Sequence, residues 1–143
     1  MEERNISISE KYEIKHRDWN KPGNIKDYIA RLNRLRRANL ALLQTHNLRF
    51  VAVDNDFIGF VKQSVDQSNA VAGAIALAAG RHEFWVHFGD LMLGPRDDQR
   101  VVHAAENLVT GQRRLFEWDG VRLVIDTNDD AALLFRCEAQ AAQ

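Results

Sequence analysis

LRFVAVDNDFIGFVKQ, Leu48 to Gln63, is the stretch whose reading decides the fold. Its hydrophobic period is two on either side of a polar centre, so each half reads as a strand with one face turned to a core. VDNDF between them is a hairpin signal, because Asn55 tolerates the positive φ that tight primed turns demand. Short period-two runs then continue along the chain: AVAGAIALAA, EFWVHF, RRLFEW, VRLVID and ALLFRC. Seven such runs separated by turn residues predict an antiparallel, meander-rich β-sandwich. EWDGV is a second hairpin signal, with Asp119-Gly120 as the turn joining RRLFEW to VRLVID. NLVTGQ reads as a further turn, and DLMLGPRDDQR, Asp90 to Arg100, as the longest loop.

Ahead of Leu48 the period is different. Ile25, Tyr28, Ile29, Leu32 and Leu35 fall on one face at 100° per residue, which predicts one amphipathic helix from Asn24 to about Asn39. Asn24 follows the breaker KPG and suits the N-cap, and Asp27 adds negative charge to the first turn. The exit is open: RRANLALLQTHN stops at Asn39 or continues one turn to Leu43. Arg36 points within the apolar band, so it snorkels or meets a carboxylate outside this chain. With one sandwich or a second copy available to cover the band, the helix is expected to pack on its own sandwich through part of it, and the remainder to drive self-association.

The composition fits one compact domain of 143 residues with 45% hydrophobic and 27% charged residues. The formal charge of −1 hides a division. Residues 1–50 carry eleven basic against six acidic side chains, and residues 51–143 eight against fourteen. Such asymmetry fits a polyanion-binding arm or a basic front facing an acidic neighbour. The arginines Arg31, Arg34, Arg36 and Arg37 spread around the helix without interleaved aromatics, so no nucleic-acid partner is expected. No apolar run approaches the roughly 20 residues that span a bilayer, and the first residues are acidic and polar rather than basic and then apolar, so neither a transmembrane helix nor a signal peptide is expected; a cytoplasmic location without membrane association is expected. The single cysteine, Cys137, reads as a buried, inert thiol.

Most chemical constellations decline on geometry. DTNDDAALLFRC begins like a calcium loop at Asp126, Asn128 and Asp130, but Ala131 replaces the turn glycine and Cys137 the terminal glutamate. His82 and His87, five apart on a strand, face opposite sides and cannot share a metal. His16 and Asp18 belong to no nucleophile, base and orienter set. No catalytic residue, metal site or cofactor is expected. Phe84, Trp85 and Phe88 read as core, although Trp85 would stack a sugar if its face were exposed.

SEKYEIKHRDWNKPGNIKDYIARLNRLRRANLALLQTHNLRF followed by VDND resembles the C-terminal part of the α-1,4-glucan:maltose-1-phosphate maltosyltransferases of the α-amylase superfamily. NLVTGQRRLFEWDGVRLVID resembles the end of that family's last domain. The likeness is dense over residues 7–60 and moderate over 106–136. It implies that the helix is the last one of a (β/α)8 barrel and that residues 1–43 end the barrel. Residues 47–138 would then form a C-terminal β-sandwich, and 139–143 a tail. Lys11 and Tyr12 in SEKYE would help hold the phosphate of maltose 1-phosphate, an ammonium and a phenol donating to phosphate oxygens. Retaining glycosyl transfer needs a carboxylate nucleophile and a carboxylic acid, which the resemblance places on barrel strands upstream. The chain is therefore expected to be an inactive C-terminal fragment that stabilises a missing catalytic barrel. The parent would meet maltose 1-phosphate and α-glucan. The alternative is a stand-alone β-sandwich carbohydrate-binding module. Two departures stand out: the middle lacks an Asn-Leu-Asp-Pro turn, and Leu40 replaces a proline in RANLAL.

Overall fold

The computed structural model describes residues 18–88, 91–116 and 120–139. Two helices precede the strands: α1 (Lys26–Ala38) and the single turn α2 (Leu40–Leu43). The strands are β1 (Leu48–Val53), β2 (Phe57–Gln63), β3 (Ala70–Ala76), β4 (Arg81–His87), β5 (Met92–Leu93), β6 (Arg100–Asn107), β7 (Arg113–Leu115), β8 (Gly120–Asp126) and β9 (Ala132–Ala139). All pairings are antiparallel. Seven strands form one sheet in the order β1-β2-β3-β9-β6-β5, with β7 also on β6, and β4 pairs with β8 in a second.

The expected antiparallel sandwich behind one amphipathic helix is what forms. Its core lies between the two sheets. On β4 and β8 the residues Phe84, Val86, Val121, Leu123 and Ile125 are buried, and they join one cluster with Ala70, Ala72 and Ala74 of β3. The small residues of β3 leave room for the large ones opposite, so the layers interdigitate. Phe57 stacks on Phe84 across the sheets, their ring centroids 4.0 Å apart and 13° from parallel.

The hairpin in Leu48–Gln63 forms, with Leu48 opposite Lys62 and Val53 opposite Ile58. Its loop does not use a left-handed Asn55: among the described residues Gln67 is the only non-glycine with positive φ. Instead Asp54 N–H donates to the Phe57 carbonyl at 3.0 Å, and the Asp54 carboxylate accepts from the Asn55 amide at 2.6 Å.

Two strands beyond the seven expected runs are present. RVVHAAEN forms β6, which pairs with β9, β5 and β7. Its register against β9 shifts between Val102 and Ala104, which breaks strict alternation, and its alanines favour strands weakly. The expected loop Asp90–Arg100 contains β5, which pairs with the start of β6. The second hairpin is a correction. β7 lies in the large sheet and β8 in the small one, so RRLFEW and VRLVID do not pair, and Gly120 has no left-handed φ. Asp119 lies outside the described residues. NLVTGQ does turn, between β6 and β7, with Gly111 at φ +73° and the Asn107 side-chain oxygen accepting from the Val109 and Thr110 amides.

Candidate functional site

The helix begins just after KPGN, but with Ile25 rather than the expected Asn24 as its N-cap and no side-chain bond from that cap. Asn24 Oδ1 accepts from the Lys26 amide at 3.1 Å, and Ile25 O accepts from Ile29 N at 2.9 Å. It ends at Asn39, an extended residue (φ −124°, ψ 109°) that is 2% exposed. Asn39 Nδ2 donates to the Leu35 carbonyl at 2.9 Å, and its Oδ1 accepts from Asn69 Nδ2 at 3.4 Å. Asn69 Oδ1 in turn accepts from the Ala41 amide at 3.0 Å. This amide pair, buried at Asn39 and half-buried at Asn69, thus stops one helix, starts the next and fastens both to the loop between β2 and β3. Asn after a helical run hinted at a stop. The partner thirty residues on carried no local signal.

From that joint onward the chain is bound to the sandwich. Ala41 is fully buried, and α2 packs on β2 and β3. Asn47 Nδ2 donates to the Ala41 and Gln63 carbonyls at 2.9 and 2.8 Å, and Lys62 Nζ to the Gln44 carbonyl at 2.6 Å.

Before the joint the situation reverses. No residue of α1 is buried. Ile25, Tyr28, Ile29 and Leu32 are 63, 53, 47 and 38% exposed, and only Leu35 of the band is half-buried. The expectation that the sandwich covers part of this band is therefore not met beyond Leu35; from mid-helix Arg31 donates to the Val109 carbonyl. Arg36 is exposed. Trp19, ahead of the helix, is 70% exposed. Lys11 and Tyr12, the expected phosphate-binding pair, lie outside the described residues, as does His16.

The sheet of β4 and β8 has a polar outer face. Alternation puts Phe84 and Val86 inward and Glu83, Trp85 and His87 outward. His82 points inward and meets the Ala78 carbonyl at 2.9 Å, so the two histidines do lie on opposite faces. Trp85 is opposite Arg122 in register, yet each leans away from the other. Arg122 reaches Glu83 with an ion pair of 2.5 Å. Trp85 lies over Gly120, where an added Cβ would sit 2.6 Å from Nε1 and 3.1 Å from Cε2. Its Nε1 donates to His87 Nδ1 at 3.2 Å. The indole is half-buried, one side against backbone.

An open cleft of about 390 Å³ lies among Ser68, Leu93, Gly94, Pro95, Asp98 and Arg100. Its charges are mutually satisfied: Arg100 binds Asp98 at 2.5 Å, and its hydrogen bond holds that carboxyl below the ordinary value. Cys137 lines it too, but burial pushes the thiol up to about 12, so no thiolate is offered at neutral pH. The Asp126 carboxylate of the calcium-like segment instead accepts from the Asn128 amide and side chain, each at 3.0 Å, shaping the turn into β9.

The geometry defines a β-sandwich domain fronted by a helix whose apolar face is uncovered. It shares its fold with part of a solved structure: it superimposes on the crystal structure of AmyP in complex with maltose with a TM-score of 0.64 at 17% identity, covering 83% of this chain and 21% of that one. No family model matches. The sequence relatives are narrower in kind. Alpha-1,4-glucan:maltose-1-phosphate maltosyltransferases match at 40% identity over 78% of this chain in Rhodospirillum rubrum, 34% over 84% in Chlorobaculum tepidum, and 35% over 87% in Myxococcus xanthus. The chain spans 16, 18 and 19% of those three relatives. It resembles, over most of its length, part of an α-1,4-glucan:maltose-1-phosphate maltosyltransferase.

Proposed function

We propose that this chain is the non-catalytic C-terminal portion of a glucan-active maltosyltransferase, which moves maltosyl units from maltose 1-phosphate to an α-1,4-glucan. The observation that carries the reading is α1: an amphipathic helix, tied to the sandwich at Asn39, with its apolar band left open. Fully burying a large apolar side chain contributes about 1.5–3 kcal/mol, so four exposed ones in a row on one face are made for a cover. A barrel whose last helix is α1 supplies that cover. Residues 1–43 then end the barrel, 47–138 form the stabilising sandwich, and α2 is the seam between them. Lys11 and Tyr12 take the donor phosphate, and the catalytic carboxylates sit on the barrel.

The test is direct. Incubated with maltose 1-phosphate and a maltosaccharide acceptor, the purified 143-residue chain releases no phosphate above background. Turnover that survives repurification refutes the reading. In the intact enzyme, Lys11→Ala weakens use of the phosphorylated donor by about 1.5–3 kcal/mol, a charged hydrogen bond's worth, and leaves the binding of neutral maltosaccharide in place. Donor kinetics unchanged by Lys11→Ala and by Tyr12→Phe remove the phosphate role.

A further inference from the structure

We propose that the outer face of β4 and β8 is a glucan-contact surface in which Trp85 is the platform for one pyranose ring and the Glu83–Arg122 pair, further along the sheet, binds hydroxyls of the adjoining ring. The identity of the sugar rests on the proposed function; the platform rests on geometry.

A flat indole presents an apolar face that matches the C–H face of a pyranose, while its rim stays polar. Three features arrange Trp85 for this. Gly120 has no side chain, so the ring settles over the β8 backbone instead of standing upright. The bond from Nε1 to His87 Nδ1 fixes the ring's rotation and occupies its donor. The core needs nothing from it, since Phe84 and Val86 on the same strand already fill the inward positions. The indole's second face is thereby turned outward.

Beside the ring stand complementary hydrogen-bonding groups. Glu83 is two residues away on the same face of β4, roughly 7 Å along the strand, about the reach of one sugar unit. Arg122 is the direct cross-strand neighbour of Trp85. The pair remains substantially exposed, its side chains 65% accessible at Arg122 and 40% at Glu83. A carboxylate accepts from sugar hydroxyls and a guanidinium donates to them, so adjacent hydroxyls of the adjoining ring are met by both kinds of partner.

The experiment uses the 15N-labelled chain and maltoheptaose. It has three tryptophans, so three indole N–H signals report separately, that of Trp85 assigned by its loss in Trp85→Phe. The Trp85 signal is expected to shift saturably while that of Trp19 stays. Glu83→Gln and Arg122→Ala, both at exposed positions, should keep the chain folded and weaken the apparent Kd by about three- to tenfold, the loss of one hydrogen bond. An unmoved Trp85 signal, or a shift whose Kd is unchanged in both variants, overturns the proposal. If the intact enzyme transfers maltosyl units while the Trp85 signal ignores maltoheptaose, the platform alone fails. If the signal responds as described but the intact enzyme shows no such transfer, the platform stands and the proposed function falls.

Discussion

Gly120→Ala tests why the small sheet tolerates no side chain at the start of β8. A methyl group there would fall onto the Val86 carbonyl oxygen and 2.6 Å from Trp85 Nε1, well inside van der Waals contact. The indole has room to tilt. The carbonyl has none, because it belongs to the backbone of the paired strand, whose Val86 side chain is only 2% exposed in the core. Relief therefore requires moving β4 against β8 and disturbing the pairs His87–Gly120 and Val86–Val121. Overpacking of this kind costs about 1–3 kcal/mol, and an immovable backbone neighbour places Gly120→Ala in the upper half of that range. In a chain of this size each kcal/mol lowers Tm by about 2–4 °C, so a loss of about 5–10 °C is expected. Urea unfolding gives the assay: Cm falls while m stays constant. Gly59→Ala is the control, since its φ is ordinary and its nearest neighbour is the Ala52 Cβ at 3.2 Å on the edge hairpin; a change within about 1 kcal/mol is expected. If Gly120→Ala unfolds at the same urea concentration as Gly59→Ala, the close approach does not constrain this sheet.

Asn39→Ala strips the amide pair and leaves Asn69 Nδ2 without this acceptor; a loss of about 1–3 kcal/mol with greater amide exchange in α1 is expected, and exchange confined to β2 and β3 would contradict the joint. Cys137, with its thiol pushed up to about 12 by burial against an ordinary 9.0, should react with a disulfide reagent only on unfolding. Because only the unfolded thiol ionises readily, stability falls as pH rises from about 9.0 toward 12, and Cys137→Ser should flatten that slope. On the acid side, Asp98 is depressed by Arg100, and Asp66 by hydrogen bonds from Ser64 and then Ser68. Their contribution is present above 3.8 and lost as pH falls through their lower folded values, so Asp98→Asn should flatten the acid limb of the stability profile, a small effect at so exposed a pair. Sedimentation velocity of the isolated chain should show concentration-dependent association that Ile29→Asp with Leu32→Asp abolishes; a strict monomer at all concentrations would refute a sticky band.

Local pattern was enough for the helix and for most strands. A band at helical spacing, an Asn after KPG and a period of two from Leu48 each act through neighbours within a few residues, so α1, the first hairpin and the burial of Phe84 were legible in the sequence, whereas Trp85, read as core with it, is only half-buried on the other face of β4. It likewise located Cys137 in an apolar run, and burial followed. Strand partnership is different, because it is set by which sheet buries a given face. Asp119-Gly120 looked like a tight turn, yet β7 joined β6 and β8 crossed to β4. Gly120 proved necessary for the approach of Val86 and Trp85 across strands that no local rule pairs. β6 escaped notice because a register shift interrupts its alternation, and only the strands on either side restore its meaning. The same reason separates Asn39 from Asn69 and Glu83 from Arg122, thirty and thirty-nine positions apart. Residue types and periods determined which segments are helix and strand, whereas long-range packing decided their partners, the joint at Asn39 and the outward tryptophan face.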